Sequence, residues 1–453
     1  YFGNTGLLDI YKPETKQWFW NIYKGLIEMG VEGIWGDLGE PEVHPDELYH
    51  VVGRANRVHN TYGHDWARLI QEGYRADFSN KRPFILMRSG YSGSQRFGMI
   101  PWTGDVNRTW GGLKPQVELT LQAGLQGIGY LHSDLGGFGG ANDDPELYVR
   151  WLQYGVFQPI FRPHAQQEVA SEAIFKDPQT KALAKEAIEW RYRLLPYNYT
   201  LAYENSTTGI PLMRPVFMEY PKQTDFMDRT DCYFWGPDMF VVPVTEKGQK
   251  IAKIDFPDSN PWFNLYTDER VVPKQFITTA RCFWGSRMKM VWNEPTVDSL
   301  SMDNIPVFVK AGAFIPMAEK GIQSTEEYAV NRVEVHFYYD PTVSASKGKL
   351  FEDDGNSRQD FKGDCFTLFE FEYLKKSRRK SVINVSANSP FCKPFSPGVT
   401  LVIHNVSEAP RIVSRTNDQL LGEDTKITFD STTKTARLVY KLEDGNELKI
   451  KFY

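Results

Sequence analysis

The sequence predicts an α/β region that forms part of a parallel (β/α)8 TIM-type barrel, followed by two all-β sandwich domains. Two observations support this fold class. Up to about residue 210, short apolar runs alternate with segments of helical spacing. Beyond it, helical spacing gives way to short β-rich runs separated by turns. Strands that alternate with helices indicate parallel βα units, whereas closely spaced short strands are typical of antiparallel sandwiches.

The first region is expected to contribute five barrel strands. We predict helices at residues 17–29, 66–74, 114–123, 146–154 and 181–203. The apolar runs predict strands at residues 31–35, 83–87, 100–102, 127–131 and 157–161. Polar residues follow these strands, and active sites of β/α barrels are built at the carboxyl ends of the strands. Since a barrel needs eight strands, we take these as strands 4–8. We therefore expect three more in an amino-terminal part of the same polypeptide.

The first domain boundary follows from the change from helical spacing to short β-rich runs near residue 210. We place the carboxyl-terminal portion of the barrel at residues 1–210, the proximal sandwich at 211–320 and the distal sandwich at 321–453. The polar stretch at 318–327 marks the second boundary. Strands of the sandwiches are predicted at 233–235, 239–243, 305–310, 313–316, 333–339, 382–385, 399–404, 436–441 and 448–452.

Composition excludes several classes of partner. A net charge of −5 over 453 residues gives no general attraction for nucleic acid or anionic lipid, so neither is expected. The sequence contains no run of eighteen apolar residues, so it predicts no membrane-spanning helix. The four cysteines form no CxxC pair and the histidine spacings match no metal motif, so we expect no metal and no cofactor. The compartment stays open, with a periplasmic or extracellular one slightly favoured and any signal peptide lying upstream.

Two acids beside tryptophans carry the functional prediction. The motif GIWGDLGEP at residues 33–41 places Asp37 just after Trp35, and WTGD at 102–105 places Asp105 just after Trp102. Cleavage of a glycosidic bond needs two such carboxyl groups, one at the anomeric carbon and one at the leaving oxygen. An aromatic ring suits the apolar face of a sugar. The alternative is that each acid is a solvated turn or helix-capping residue.

Further motifs in order resemble those of glycoside hydrolase family 31. The nucleophile segment of that family is usually written G-x-W-x-D-M-N-E-P, which is similar to residues 33–41. The agreement continues through HNTYG at 59–63, SDLGGF at 133–138, RPH at 162–164 and PVFVKAG at 306–312. The likeness covers nearly the whole chain. It implies a retaining α-glycosidase or transglycosylase on a (β/α)8 barrel with β-sandwich domains.

The resemblance also implies roles for individual residues. Asp37 would be the nucleophile, Asp105 the general acid/base, and Glu40 an assisting residue that orients the loop. The substrate-binding set would comprise Arg88, Asp134 and His164, which bond sugar hydroxyls, and Trp35, Trp102 and Phe138, which wall the pocket. Structural alternatives remain open for several of them. These are an ion pair for Arg88, bracing of the glycine-rich loop for Asp134, a rim position for His164 and a core position for Trp35.

The sequence departs from the family pattern at Leu38-Gly39, where Met-Asn is common. The insertion EVHP at 42–45 resembles bacterial members that move α-glucosyl units between maltooligosaccharides. We therefore expect an α-glucosidase or a 4-α-glucosyltransferase that acts on small oligosaccharides through a glucosyl-enzyme. The alternatives are an α-xylosidase or another α-glycosidase of the same family, or a non-catalytic carbohydrate-binding protein.

Overall fold

The computed structural model describes residues 6–281, 287–328, 332–357, 365–377, 380–389, 398–415, 427–441 and 448–452. Its α-helices are Pro13–Glu28, Ala55–Asp77, Trp110–Leu125, Pro145–Val156, Pro178–Arg193, Leu195–Thr208 and Val216–Glu219. Short 3-10 helices lie at Ser94–Phe97, Ala173–Phe175, Thr224–Phe226 and Thr325–Glu327. Within this part of the chain, every helix is too short or too polar to cross a membrane.

A parallel sheet positions the first half of the molecule. Its strands are Gly33–Gly36, Phe84–Met87 and Met99–Pro101, in that order, with Ile34 opposite Ile85. Two single parallel bridges extend the series, from Trp102 to His132 and from Leu135 to Pro163. Five chain segments therefore run side by side in sequence order, and their carboxyl ends meet at one edge.

Two of the five predicted barrel strands are wrong. Residues 127–131 and 157–161 form turns and irregular segments, and pairing is confined to the bridges at His132 and Pro163. Gly127 has φ +81°, which turns the chain at the end of helix Trp110–Leu125. Pro159 and Pro163 lack the N–H that a ladder requires, so a regular strand cannot form between them.

Helices cover the parallel sheet. Trp20, Tyr23 and Ile27 of helix Pro13–Glu28 are buried in one core with Ile70 and Tyr74 of helix Ala55–Asp77. The single helix predicted at 181–203 is two helices that meet at Leu194. The second helix begins with a proline in its first turn, where a missing N–H costs nothing.

Beyond residue 210 the chain is mainly antiparallel sheet. A six-stranded sheet has the order Arg270–Val271, Trp262–Asn264, Val307–Lys310, Met239–Val241, Tyr233–Trp235, Met213–Arg214. Two further pairs are Ile251–Ile254 with Thr296–Ser299 and Gln275–Arg281 with Arg287–Asn293. A two-stranded ribbon, Tyr49–His50 with Gly53–Arg54, lies earlier in the chain.

Two five-stranded sheets follow. The first has the order Phe314–Met317, Glu334–Tyr338, Gly398–His404, Thr435–Lys441, Ile427–Asp430. The second has the order Ala345–Glu352, Thr367–Ser377, Lys380–Asn388, Leu448–Phe452, Arg411–Arg415. Phe337 of the first sheet and Phe371 of the second lie in one buried core, so the sheets pack face to face. The strand Phe314–Met317 pairs with Glu334–Tyr338, although the predicted boundary at residue 320 follows it.

Candidate active site

An open cavity of about 480 Å³ lies at the carboxyl ends of the parallel strands. Asp105, Arg88 and Glu40 line it. The other lining residues are Pro41, Glu42, His59, Trp102, Thr103 and Gly104. Three loops that follow successive strands therefore converge on one space, as the sequence predicts for a barrel-type site.

Arg88 is surrounded by carboxylates. Its Nε and Nη2 donate to the two oxygens of Glu40 at 2.9 and 2.8 Å, and Nη2 also donates to Glu42 at 3.1 Å. Its Nη1 lies 3.5 Å from Oδ1 of Asp37 and 3.8 Å from Oδ1 of Asp105. The two Oδ1 atoms are thus separated by no more than the sum of those distances. The Glu40 pair is the two-bond fork that guanidinium and carboxylate groups favour.

The backbone after the first strand is tightly determined. Asp37 follows strand Gly33–Gly36, and its Oδ1 accepts the amide of Leu38 at 2.9 Å. Leu38 has φ +57°, a left-handed conformation that is uncommon outside glycine. This turn exposes the Asp37 carboxylate at the strand end, with 41% of its side chain accessible.

Gly63 explains why the HNTYG motif accompanies the acid motif. A Cβ at this position of helix Ala55–Asp77 would overlap Oγ of Ser89 and lie 2.6 Å from its carbonyl oxygen. It would also lie 3.0 Å from the carbonyl of Gly39. The helix can therefore approach both loops only with glycine here. This contact fixes the loops that carry Glu40 and Arg88.

The pKa of Asp105 is raised from its ordinary value. Burial is the largest cause, the charge of Arg88 opposes it, and the negative charges of Asp37 and Glu42 add to it. The pKa of Glu40 is lowered: burial alone would raise it, but the hydrogen bonds and charge of Arg88 outweigh burial. Arg88 thus keeps Glu40 ionised, whereas Asp105 is protonated more easily than an ordinary aspartate.

Asp134 lies behind the open cavity. Its side chain has no exposed area, it accepts a short hydrogen bond from Arg162, and its Oδ2 is buried without a partner in the described part of the chain. Burial raises the pKa of Asp134 to about 7 against the charge of Arg162, with Asp105 and Asp37 adding to the rise.

Arg162 connects several of these groups. Its Nε donates to Nε2 of His132 at 3.2 Å, and its guanidinium carbon lies 5.4 Å from the centre of the Trp102 ring. Burial, and then the charge of Arg162, lowers the pKa of His132 to about 3. His132 is therefore a neutral acceptor at neutral pH. Trp151 supports the neighbouring Ser133 by donating Nε1–H to its Oγ at 2.9 Å.

Aromatic rings form one continuous wall. Trp35 contacts Trp102 edge to face at 6.1 Å between centroids and contacts His164 at 5.3 Å. His164 stacks on Phe138 at 5.4 Å. Trp35 is 52% exposed, so its ring is not a core residue. The pKa of His164 is lowered, first by burial and then by the charge of Arg162.

The histidines near this wall bond to one another. Nε2 of His44 lies 2.7 Å from Nε2 of His50, and Nδ1 of His44 lies 3.2 Å from Nδ1 of His59. Because both nitrogens of His44 face histidine nitrogens, the three rings cannot share one ion. Over the described ranges, no three histidine, cysteine or acidic side chains are arranged to hold a metal.

The structure brings the predicted residues together at one strand edge, in two layers. Glu40, Arg88 and Asp105 line the cavity, and Asp37 adjoins it through Nη1 of Arg88, whereas Asp134 is fully buried and is not part of the lining. The sequence analysis missed three residues of the site: Glu42, His59 and Arg162. Arg162 stands in the RPH motif and His59 in HNTYG, so the motifs contained a signal. Glu42 opens the EVHP insertion that the sequence analysis singled out, but its contact with Arg88 depends on the fold and was not predicted.

Two family models match the chain. Residues 1–201 match the glycosyl hydrolases family 31 TIM-barrel domain, and residues 209–315 match the glycosyl hydrolase family 31 C-terminal domain.

Curated relatives cover most of this chain. A probable glucan 1,3-alpha-glucosidase of Oryza sativa subsp. japonica is 32% identical over 410 residues, which are 87% of this chain and 42% of that protein. Neutral alpha-glucosidase AB of Dictyostelium discoideum is 30% identical over 98% of this chain and 46% of its own length. An alpha-xylosidase of Saccharolobus solfataricus is 29% identical over 80% of this chain and 48% of its own.

Solved structures share the fold. A GH31 dextranase of Flavobacterium johnsoniae complexed with glucose superimposes with a TM-score of 0.85 at 25% identity, over 99% of this chain and 56% of that one. The glucosidase II alpha subunit gives a TM-score of 0.81 at 22% identity, over 98% and 49% of the two chains. The chain thus spans about half the length of the proteins that it matches.

Proposed function

Because this chain belongs to glycoside hydrolase family 31, we propose that it processes α-glucosidic bonds of oligosaccharides with retention of configuration. Asp37 is the nucleophile and Asp105 the general acid/base. The observation that carries the proposal is the arrangement of both acids around Nη1 of Arg88. Retaining glycosidases hold their two carboxyl groups about 5–5.5 Å apart, and the shared nitrogen is compatible with that separation.

The proposed reaction has two steps, and Asp105 transfers one proton in each of them. Asp105 gives its proton to the departing glycosidic oxygen while an oxygen of Asp37 bonds to the anomeric carbon from the opposite face. Asp105, now ionised, takes a proton from the incoming acceptor hydroxyl, whose oxygen displaces Asp37. The raised pKa of Asp105 supports this assignment, because the first step requires a protonated acid.

The remaining residues bind the sugar in this proposal. Nη1 of Arg88 makes only long contacts with the two acids, 3.5 Å to Asp37 and 3.8 Å to Asp105, so a sugar hydroxyl between them can accept a shorter hydrogen bond from it. His164 bonds a second hydroxyl, and Trp35, Trp102 and Phe138 wall the pocket. Asp134 holds Arg162 by a hydrogen bond and so positions it beside the sugar. A direct hydrogen bond between Asp134 and a sugar hydroxyl stays a prediction.

Single substitutions of the two acids test the proposal. Asp37→Ala should lower kcat on every substrate to below a few per cent of the parent, because no covalent intermediate can form. Asp105→Ala should retain the first step on an aryl α-glucoside with a good leaving group, and azide should restore turnover as a glucosyl azide. Glu47→Ala removes an exposed acid outside the cavity and is the control. Substantial turnover by Asp37→Ala would contradict the assignment.

The candidate activities differ in the acceptor molecule and in the sugar that is transferred. Water as the acceptor gives an α-glucosidase, and a sugar hydroxyl gives a 4-α-glucosyltransferase. The relative named alpha-xylosidase keeps xylosides as a second substrate class. Comparing kcat/KM for aryl α-glucoside and aryl α-xyloside decides between the sugars. Absence of any turnover on both, in a polypeptide that includes the amino-terminal strands proposed below, would instead favour a non-catalytic carbohydrate-binding protein.

We further propose that the parallel segments are strands 4–8 of an eight-stranded barrel, followed by two sandwiches, and that the remaining strands come from an amino-terminal part of the same polypeptide. Two observations support this. No described strand pairs with the outer edge of Gly33–Gly36. Helix Pro13–Glu28 and the residues after it expose Trp18, Ile22, Leu26 and Met29, which are spaced on one helical face.

Expression of residues 1–453 alone tests this second proposal. An open parallel edge and an apolar helix face should cause aggregation and loss of activity. In a longer natural polypeptide, Ile22→Asp should lower the Tm, while Glu28→Ala in the last turn of the same helix should not. A soluble, fully active monomer of residues 1–453 would show that no further strands are needed.

A further inference from the structure

A second groove lies away from the strand ends, where helix Pro178–Arg193 meets the sandwiches. It consists of two adjoining cavities of about 650 and 510 Å³ that share Trp190, Arg193 and Lys320. We call it the junction groove. Neither cavity shares a residue with the cavity at Asp105. Each volume lies in the range of small-molecule sites, about 300–1,000 Å³.

Trp190 stands where the two cavities join. The edge of Tyr266 contacts it at 5.0 Å between centroids and 89° between planes, and the guanidinium of Arg193 lies 5.0 Å from its ring centre. These contacts hold the ring in a defined position. Nε of Arg193 is buried and has no hydrogen-bond partner among the described residues. An aromatic ring held in a fixed position beside a guanidinium group is an arrangement suited to sugar binding.

The larger cavity has a rigid polar wall. Oδ2 of Asp268 lies 3.2 Å from Nδ1 of His404, and Nε2 of His404 lies 2.8 Å from Nδ1 of His336. Nε2 of His336 lies 3.2 Å from Glu334, which also accepts a hydrogen bond from Arg437. Each carboxylate can accept more hydrogen bonds than these contacts use. The wall therefore offers fixed acceptors to a ligand.

The charges of the larger cavity favour a neutral ligand. Its lining carries three cations and four carboxylates, namely Arg193, Lys320, Arg437, Asp268, Glu319, Glu334 and Asp430. Burial lowers the pKa of His336 to about 4, so that ring adds no charge at neutral pH. A phosphate or carboxylate ligand would meet these four carboxylates as well as the three cations, so the lining does not select for an anion. Hydroxyl groups can bond both signs, since they donate and accept.

We propose that the junction groove is a non-catalytic binding site for a neutral oligosaccharide, with Trp190 as its stacking platform. Two cavities on either side of one ring suit a chain of sugar units rather than a single ring. Resting on the proposed function, the ligand is an α-linked glucooligosaccharide whose chain exceeds what the active site holds. Binding a second part of such a chain raises its effective concentration at the enzyme.

Calorimetric titration of the intact protein with maltoheptaose tests the site. In an Asp37→Ala background, where the sugar is not consumed, we expect two binding events. Trp190→Ala should remove one of them or weaken it at least about tenfold, whereas Trp190→Phe should retain it. Phe175→Ala, which removes an exposed aromatic ring that lines neither cavity of the junction groove, is the matched control. Lys320→Trp should fill the junction without touching the core, and should abolish the same event.

The readouts separate this proposal from the catalytic one. Hydrolysis of an aryl α-glucoside by the parent protein tests the catalytic proposal alone, and Trp190→Ala should leave its kcat/KM unchanged within about twofold. Trp190→Ala should raise KM only for long glucans. A single binding event in the Asp37→Ala parent, unchanged by Trp190→Ala, would contradict the proposal that the junction groove binds an oligosaccharide. Two events that persist in both Trp190→Ala and Lys320→Trp would also overturn it, even if the aryl glucoside is cleaved.

Discussion

Replacing Asp134 by asparagine should change the pH dependence of stability in a defined direction. The carboxyl group is fully buried, and its pKa is raised to about 7. In the unfolded chain an aspartate titrates near pH 3.9. The native state therefore binds the proton more tightly than the unfolded state. The contribution of Asp134 to stability is greatest below about pH 4, falls as the pH rises towards 7, and is constant above.

The size of the change follows from the two pKa values. A separation of about three units corresponds to at most about 4 kcal/mol of unfolding free energy across that window. An asparagine side chain cannot ionise, so the variant has no such term. The stability of Asp134→Asn relative to the parent should rise by up to that amount between about pH 4 and pH 8. The pKa of about 7 already includes the attraction of Arg162 for the carboxylate, so the pH-dependent part of the difference needs no separate term for this pair.

Urea unfolding of both proteins at a series of pH values measures the difference. Asp143→Asn, which removes an exposed carboxylate from the following loop, controls for the change in net charge. A difference that does not vary with pH would refute the reasoning. So would a difference that favours the parent as the pH rises, because the carboxylate would then be stabilised by Arg162 more than it is penalised by burial.

Three further results are expected. Gly63→Ala should destabilise the protein by about 1–3 kcal/mol, because its Cβ would overlap Ser89, whereas Gly25→Ala, which meets nothing within 4 Å, should stabilise helix Pro13–Glu28 by up to about 1 kcal/mol; thermal unfolding compares them. The basic limb of the pH–rate profile on an aryl α-glucoside should reflect loss of the Asp105 proton, so it should disappear in Asp105→Ala. With maltotriose, early chromatography should show both shorter and longer α-1,4 products, since a positioned acceptor sugar competes with water. Glucose and maltose without longer products would identify a hydrolase.

The sequence predicted the outline of the site because its signals are local. An apolar run that ends on an acid beside tryptophan requires no knowledge of the rest of the fold, and both Asp37 and Asp105 were found in this way. Their approach to one another was also predictable, because the carboxyl ends of neighbouring parallel strands meet at one edge. The roles of the two acids come from the family resemblance and remain proposals.

The parts that the sequence could not predict depend on distant contacts. Residues 157–161 are apolar enough for a strand, but Phe157 packs at the end of helix Pro145–Val156 and the prolines prevent a ladder. Periodicity does not distinguish such a run from a buried strand. Strand Phe314–Met317 pairs with Glu334–Tyr338 on the far side of the polar stretch at 318–327, and composition does not report such a pairing. The domain boundary placed there stays a prediction.

The charges at the strand ends help to explain why the pKa of Glu40 is lowered while that of Asp105 is raised. Four carboxylates, from Asp37, Glu40, Glu42 and Asp105, surround the single guanidinium of Arg88. Glu40 takes the two-bond fork, so the cation compensates it most fully and its pKa falls. Burial raises the pKa of Asp105, and because this acid lies farthest from the guanidinium, the opposing charge of Arg88 does not cancel the rise, to which Asp37 and Glu42 add. Burial together with the geometry around one arginine thus separates the ionisation of Glu40 from that of Asp105, and a raised pKa is what a proton donor in this site requires.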